Sequence, residues 1–586
     1  MKNITKHIVL FISLLISISS YAQNFDGYEQ YMNKAMKDWK VQGFAVAVVK
    51  NGKIIYSNGF GYRDVKNQLP VTSNTLFAIG SCSKAFTAAT VNLLVDDGKL
   101  DLDKPIINYF PGFKLYDEYV TTHITSRDLL CHRSGLPRHD LVWYGADEIP
   151  RKDMVSKLQY LEPNAGFREK WQYQNGMFMV AGYLVELVDG KSWEEFTQAR
   201  ILNPLEMKNT NFSVYDMQKA NDFSKPYSEK NDEVEEIPYR SIVATGPAGS
   251  INSNVTEMSN WMMMQLNGGK FKDKQIVSEA SINQMQSPQM VMPSGITDEV
   301  FYSSYGMGWM ITSYKGHLRV EHGGNIDGFS ASVCLLPKDS AGIVVLTNMN
   351  ATPFTSVVRN YTIDRITGLS ETDWNKKLLE QIKKAKDSQK ENEGKPDPNR
   401  VEGTTPSHKL SDYAGKYTHP AYGEVEVTVK GDDLGINFHG INGVFTHYHY
   451  DIFTGSEKDD LGKMKITFHT SEKGEINKLT APLQDGVKDI EFKRVVETVK
   501  TSKNDLLKYT GEYEISGAVI KIALRGETTL IMTVPGQPDY ELVPIGNESF
   551  NIKNLDGYST KFVIDGDKAN ELILNQPNGV FTAKRK

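Results

Sequence analysis

The chain runs to 586 residues, 40% of them hydrophobic and 24% charged. That is longer than one hydrophobic core supports and too apolar for a mainly disordered protein. With 72 acidic against 66 basic residues, a formal net charge of −6 and no basic block, sequence-independent nucleic-acid binding is excluded.

Residues 1–22 read as an export signal. Lys2, Lys6 and His7 make a basic start, Ile8 to Ile18 is mostly apolar, and Ser20-Tyr21-Ala22 places small residues where a signal peptidase cuts. An uncleaved anchor is the competing reading, but the run falls short of the roughly 20 apolar residues a membrane span needs. No cysteine near the cut could carry a lipid, and no later segment is long and apolar enough to be a second span. The expected location is therefore secreted or periplasmic, with no transmembrane segment after signal removal. Three cysteines, Cys82, Cys131 and Cys334, are too few and too scattered for a disulfide framework. They are expected as buried thiols.

Gly43 to Lys50 and Lys53 to Gly59 flank Asn51-Gly52, a strong short hairpin signal. Ser83 to Asp97 reads as a helix closed by Gly98. Its apolar residues cover nearly every face, so it should be buried all round. Phe178, Ala181, Leu184, Val185 and Val188 mark another helix ending at Gly190. Strands return at Leu318 to Glu321, Phe329 to Leu335 and Ile343 to Thr347. Strands at both ends with helices between predict an α+β fold. One antiparallel sheet is flanked by helices, with a helical lobe inserted, over residues 23–370.

A basic helix around Trp374, Leu378, Leu379 and Ile382 leads into a charged, proline-bearing linker, together residues 371–405. Beyond it the sequence repeats. Leu410 to Tyr417 matches Leu506 to Tyr513, alternating strand-like stretches follow each, and each copy closes on a Lys-Arg pair, Lys493-Arg494 and Lys584-Arg585. This predicts two small all-β modules, residues 406–497 and 503–586.

Three segments can carry chemistry. Ser81-Cys82-Ser83-Lys84 is the sole Ser-x-x-Lys of the chain, and helical spacing puts Ser81 and Lys84 on one face. Ser81 falls at a helix N-terminus, where backbone N–H groups favour developing negative charge. Burial would strip Lys84 of solvent and free its amine as a base. The plainer reading is a capping serine and a solvated lysine. Tyr173-Gln174-Asn175 precedes a helix that Asn175 is placed to cap. A tyrosine beside a lysine could relay a proton and an asparagine amide could orient a carbonyl, against the alternative of a cap next to a core aromatic. Glu321-His322-Gly323-Gly324 ends a strand, where glycines allow close approach of a ligand. A plain turn is the alternative.

In this order the three segments resemble the β-lactamase and penicillin-binding-protein superfamily, specifically its class C-like serine hydrolase branch. The resemblance spans about residues 40 to 350. Gly98 to Lys104, Ile124 to Leu130, His132 to Pro137, Gly246-Pro-Ala-Gly249 and Tyr305-Gly-Met-Gly-Trp309 support it. It implies Ser81 as the acylated nucleophile, Lys84 as its activating partner and Tyr173 as general base or proton shuttle. Substrate would be held by Asn175, His322 and Gly324, and the oxyanion by the backbone N–H of Ser81 and Asn325. His322 departs from the lysine of true β-lactamases, and a histidine is largely neutral at pH 7, which argues against lactam recognition. Glu206, in Pro204-Leu-Glu-Met207, stands where the family often has glycine. The tail modules resemble the small barrel, lipocalin-like domains appended to some peptidases of the branch, where the extra domain shapes access to the site.

Other patterns lead nowhere. Gly190-Lys191-Ser192 lacks the upstream glycine of a phosphate loop. There is no Gly-x-Ser-x-Gly elbow and no His-Glu-x-x-His. His447 and His449 lie two apart on a strand, with no carboxylate or cysteine set fixed nearby, and read as barrel residues rather than a metal site. The expected protein is an exported serine hydrolase without cofactor or metal, acting through a Ser81 acyl-enzyme on a small-molecule or peptide substrate. Peptides, amides and esters are the candidates, D-amino-acid or peptidoglycan-like peptides among them. The alternatives are a weak β-lactamase and a non-turnover penicillin-binding sensor.

Overall fold

The computed structural model describes residues 25–586 apart from 147, 231, 294, 394–396, 457–460, 496–500 and 556. The export signal expected over 1–22 lies outside the described residues. No helix among them is long and apolar enough to cross a membrane.

The region before the linker is built on a nine-stranded antiparallel sheet. Its strands are β1 (Gly43–Lys50), β2 (Lys53–Asp64), β3 (Leu69–Pro70), β4 (Met290–Val291), β5 (Ser303–Tyr305), β6 (Met310–Tyr314), β7 (His317–Ile326), β8 (Phe329–Leu336) and β9 (Ala341–Thr347). Their spatial order is β4-β5-β6-β7-β8-β9-β1-β2-β3. The N-terminal hairpin thus closes against the last strand, Val46 opposite Val345 and Val48 opposite Ile343. In β1 and β8 the polar-apolar alternation of a half-exposed strand is missing, because both faces are covered.

One face carries α1 (Tyr28–Asp38) and a C-terminal helix (Phe354–Thr367). Tyr28, Met32, Phe44, Val46, Ile343, Val345, Phe354 and Val358 share a core there. On the other face lies the helix Val255–Leu266. Its Trp261 stacks on Phe86 at 3.8 Å, tying the sheet to α2 (Ser83–Asp96), the helix that follows the nucleophile segment. Residues Ser83 to Leu94 of α2 are all buried, as its all-round apolar pattern requires. The helical lobe supplies α3 (Asn175–Asp189), closed by Gly190 in the left-handed region at φ 82°. Glu206 sits in that same region, at φ 59°, which accounts for glycine being favoured there.

After a helix over Trp374–Glu393, two closed eight-stranded barrels follow. The first has strands from Gly415–His419 to Ile490–Arg494 and the second from Gly511–Ile515 to Gly579–Arg585. Tyr417 and Tyr513, matched in the sequence repeat, are both fully buried. The chain divides into two compact units. One holds the catalytic region with nearly all of the first barrel, and the other holds the second barrel.

Candidate active site

Ser81 lies on a one-turn 3-10 segment, Gly80–Cys82, that leads into α2. Strand β7 passes this turn at backbone contact. A Cβ on Gly324 would stand 1.9 Å from the Ile79 carbonyl oxygen and 3.1 Å from the Ser81 nitrogen, and one on Gly80 would stand 2.7 Å from the Asn325 nitrogen. Gly80 also has φ 51°. Both glycines are therefore steric necessities. The approach sets the Gly324-Asn325 backbone against the Ile79–Ser81 turn, and backbone N–H groups in such a place can stabilise an oxyanion.

Lys84 is completely buried. Its Nζ lies 3.0 Å from Ser81 Oγ, 2.7 Å from Asn175 Oδ1 and 2.7 Å from the Ala248 carbonyl oxygen. The last two atoms can only accept hydrogen bonds. The Asn175 orientation is fixed because its Nδ2 donates to the Asp140 carboxylate at 2.9 Å. A neutral amine has two N–H bonds and one lone pair. Spending both N–H bonds on Asn175 and Ala248 points the lone pair at the Ser81 hydroxyl. Burial pushes the Lys84 ammonium well below its ordinary value, with Asp140 opposing. An amine so held can accept a proton from the hydroxyl it faces.

The sequence expectation that Asn175 caps α3 is corrected. The cap is Gln174, whose side chain accepts from the Gly176 N–H. Asn175 is the first helical residue, and its amide is turned inward to Lys84 and Asp140. Both ends of the amide, expected to hold substrate, are engaged by these two side chains. Ala248 reaches Lys84 from the Gly246–Gly249 turn, where Pro247 accepts from the Thr87 hydroxyl at 2.6 Å. Gly182 on α3 makes room for the Pro247 ring, since a Cβ there would stand 2.1 Å from Pro247 Cγ.

Tyr173 puts its ring 4.7 Å from Lys84 Nζ, and the Arg138 guanidinium covers it at 4.9 Å. Its hydroxyl shares a hydrogen bond with Ser81. Burial raises the phenol above its ordinary value, with that bond working the other way. The resting tyrosine is therefore protonated.

His322 is 2% exposed, which removes the surface-turn alternative. Its Nδ1 lies 2.6 Å from the Gly323 carbonyl oxygen and must carry the proton, so Nε2 accepts from the Tyr305 hydroxyl at 2.9 Å. Burial, then the Lys84 charge, lowers its pKa to about 3, so it brings no cation to the site. His132 completes an aromatic wall, 4.4 Å from the Tyr173 ring and 4.7 Å from that of Tyr305. Its Nδ1 accepts from the Gln174 N–H at 3.1 Å. The loops carrying His132 and Tyr173 are pinned by Asp128, buried and bound by Arg133 at 2.5 Å and Arg168 at 2.7 Å. Cys82, between nucleophile and lysine, is a free buried thiol, as are Cys131 and Cys334.

The structure thus gathers Ser81, Lys84, Tyr173, Asn175, His322, Gly324 and Asn325 around one turn. It adds Arg138, Asp140, Ala248, His132 and Tyr305, which reading by motif did not single out. The segments His132 to Pro137, Gly246 to Gly249 and Tyr305 to Trp309 were the available signals, since each delivers one or more of these groups or stands beside one. His447 and His449 engage backbone, His447 Nε2 with the Tyr450 carbonyl and His449 Nδ1 with the Val401 N–H. Among the described residues no cluster of His, Cys, Asp and Glu could hold a metal.

The first barrel rests on the loop that carries Arg138 and Asp140. The Tyr422 hydroxyl lies 2.7 Å from His139 Nδ1, Gln484 Oε1 accepts from the His139 backbone N–H at 2.6 Å, and Lys157 donates to the Ala421 carbonyl at 3.1 Å. Gly145 meets the His439 backbone, leaving no space for a Cβ.

Known proteins resemble this chain in sequence and fold. A domain of unknown function (DUF3471) matches residues 399–494, over the first barrel. Unguisins hydrolase ungD' of Aspergillus campestris is 29% identical over 427 residues, 68% of this chain and 77% of that protein. Protein flp of Staphylococcus aureus strain MW2 is 28% identical over 319 residues, 53% of this chain and 60% of that protein. The octameric penicillin-binding protein homologue from Pyrococcus abyssi shares the fold with a TM-score of 0.52 at 23% identity, over 79% of this chain and 99% of that one. The family described as Beta-lactamase matches residues 28–367, more than half of the sequence. The chain belongs to the Beta-lactamase family, a family of serine hydrolases.

Proposed function

We propose that this chain is an exported serine hydrolase that works through a Ser81 acyl-enzyme on peptide, amide or ester substrates, with peptides containing D-amino acids among them. The carrying observation is the three-partner arrangement of Lys84, which leaves one lone pair for the Ser81 proton. Lys84 takes that proton as Ser81 Oγ attacks the carbonyl carbon. The backbone N–H groups of Ser81 and Asn325 receive the oxyanion. Tyr173, protonated at rest, gives its proton to the leaving group and regains one through Lys84. Water then attacks the acyl-enzyme by the reverse relay. The name of the Aspergillus relative, a hydrolase, supports hydrolysis, and the basic, apolar leader over 1–22 supports export.

A β-lactamase reading is less well supported. Neutral His322, tied to Gly323 and Tyr305, offers no cation to a lactam carboxylate.

The test is to incubate the purified chain with an activated ester, a D-alanyl peptide and a chromogenic cephalosporin, then weigh the protein by mass spectrometry. Ester or peptide turnover should fall at least ~1,000-fold in Ser81→Ala. Turnover that survives this change would sink the assignment. A stable adduct without turnover would favour a sensor, and rapid cephalosporin hydrolysis would favour the lactamase.

A further inference from the structure

The two barrels are copies of one sequence unit, yet the described residues leave very different spaces inside them. A void inside the first, lined by Phe438, Phe445 and Phe492 among others, holds about 20 Å³. The second encloses about 440 Å³, within the usual range for a small-molecule site.

The difference is written in matched positions. Val427 pairs with Ile436 in the first barrel as Ile522 pairs with Met532 in the second, so Phe438 corresponds to Val534. Leu434 pairs with Phe445 and Leu530 with Leu542, so that phenylalanine becomes leucine. Counting from the closing Lys-Arg pair, Phe492 corresponds to Ala583. The second copy also has one residue fewer between its buried tyrosine and the next inward strand position, and lacks a counterpart of Tyr422, whose ring lies 6.2 Å from that of Phe492. Rings that fill the first barrel are absent from the second, and no other described residue of that barrel fills the space.

The lining fixes the chemistry. Ile520, Met532, Val534, Ile552 and Leu574 form apolar walls, Gln537, Gln576 and Tyr558 provide neutral polar groups, and no charged side chain among the described residues lines the cavity. Phe581 belongs to the lining and is 38% exposed, so the space opens to the surface. A charged ligand would lose its hydration there without an ionic partner.

We propose that the second barrel is a binding site for an uncharged, largely hydrocarbon molecule bearing a hydroxyl or amide end, while the first barrel is filled and serves to brace the catalytic loop. This does not depend on the hydrolase reading.

The full chain should enhance the fluorescence of N-phenyl-1-naphthylamine saturably, at one dye per chain with a dissociation constant of about 10 µM. The same skeleton bearing a sulfonate, 8-anilinonaphthalene-1-sulfonate, should bind at least ~10-fold more weakly. At pH 8, 1-decanol should displace the neutral dye and decanoate should not. Val534→Phe, which restores the residue of the filled barrel, should weaken dye binding at least ~10-fold, with circular dichroism and ester turnover unchanged. Ile552→Phe is the second variant should the first misfold. Absence of saturable binding, equal affinity for the sulfonate, displacement by decanoate as good as by decanol, or unchanged binding in a folded Val534→Phe would each overturn the proposal. The dye displacement arm needs no variant.

Discussion

The Tyr422 hydroxyl of the first barrel donates to His139 Nδ1 at 2.7 Å, one residue from the carboxylate that orients Asn175. His139 Nε2 donates to the Glu162 carbonyl at 3.2 Å, and burial holds the ring's pKa below its ordinary value, so the imidazole is neutral and Nδ1 can only accept. A barrel appended to the end of the catalytic region thereby reaches Lys84 through three groups: Tyr422, the His139-Asp140 segment and Asn175.

Tyr422→Phe removes the proton that satisfies this nitrogen and keeps the ring in place. Leaving a buried acceptor unpaired costs about 1–3 kcal/mol. The expected outcome is a lower melting temperature and a kcat for an activated ester reduced several-fold, with a smaller change in KM. Unchanged kcat and melting temperature would show that the barrel does not brace the loop.

Asn175→Asp tests the charge state of Lys84. The substitution is nearly isosteric but places a carboxylate 2.7 Å from Nζ, where the wild type has a neutral oxygen. An opposite charge favours the ammonium, so the lysine pKa rises from its depressed position. At pH 7 kcat/KM should fall about 100-fold. The acid limb of the pH–rate profile should move to higher pH, recovering part of the activity in alkali. A proportional loss at every pH would mean that Asn175 only positions groups and that Lys84 is not the base.

The parts of this design that were legible in the sequence are local or repetitive. Ser81 and Lys84 are one turn apart, so spacing alone put them on one face. The buried helix α2 announced itself by apolar residues on every side, and the barrels by an internal repeat with alternating strands. What escaped is long-range. Asn175 and Ala248 are 91 and 164 positions from Lys84, and a lysine's acceptors leave no periodic mark. Gln174 rather than Asn175 caps α3, a choice between adjacent amides that only tertiary partners decide. Edge strands such as Leu69–Pro70 and Met290–Val291 are too short for any period to register. Tyr422 reads as one more barrel aromatic until the loop it holds is seen.

Adjacent glycines on β7 offer an internal control. A Cβ on Gly324 would stand 1.9 Å from the Ile79 carbonyl oxygen, whereas the nearest atom to one on Gly323 is the Ala331 oxygen at 3.8 Å. Backbone cannot yield as a flexible side chain can, so Gly324→Ala must push β7 off the Ser81 turn and separate the Ser81 and Asn325 amides proposed to receive the oxyanion. A loss of at least ~100-fold in kcat is expected for it. Gly323→Ala should keep most of the activity and shift the melting temperature little. Similar effects from the two changes would contradict the close crossing of β7 and the Ser81 turn.

Acid should destabilise the catalytic region through its buried histidines. His322 has its folded pKa lowered to about 3 from an ordinary 6.5 by burial, then by Lys84, and His132 is lowered by the same causes. Above pH 6.5 both folded and unfolded chains hold neutral imidazoles, and the contribution to stability is fully present. Between pH 6.5 and about 3 the unfolded chain takes up a proton at His322 that the folded chain refuses. Stability therefore falls as pH falls, by about 1.4 kcal/mol per pH unit for each such histidine. All seven tryptophans lie at or before position 374, so their fluorescence follows this region without interference from the barrels. Urea unfolding monitored in this way should show His322→Gln losing less stability than wild type between pH 6 and pH 4, by about one proton's slope. Parallel pH dependences for the two proteins would mean that the His322 imidazole is protonated in the folded state, and with it that the site carries a cation after all.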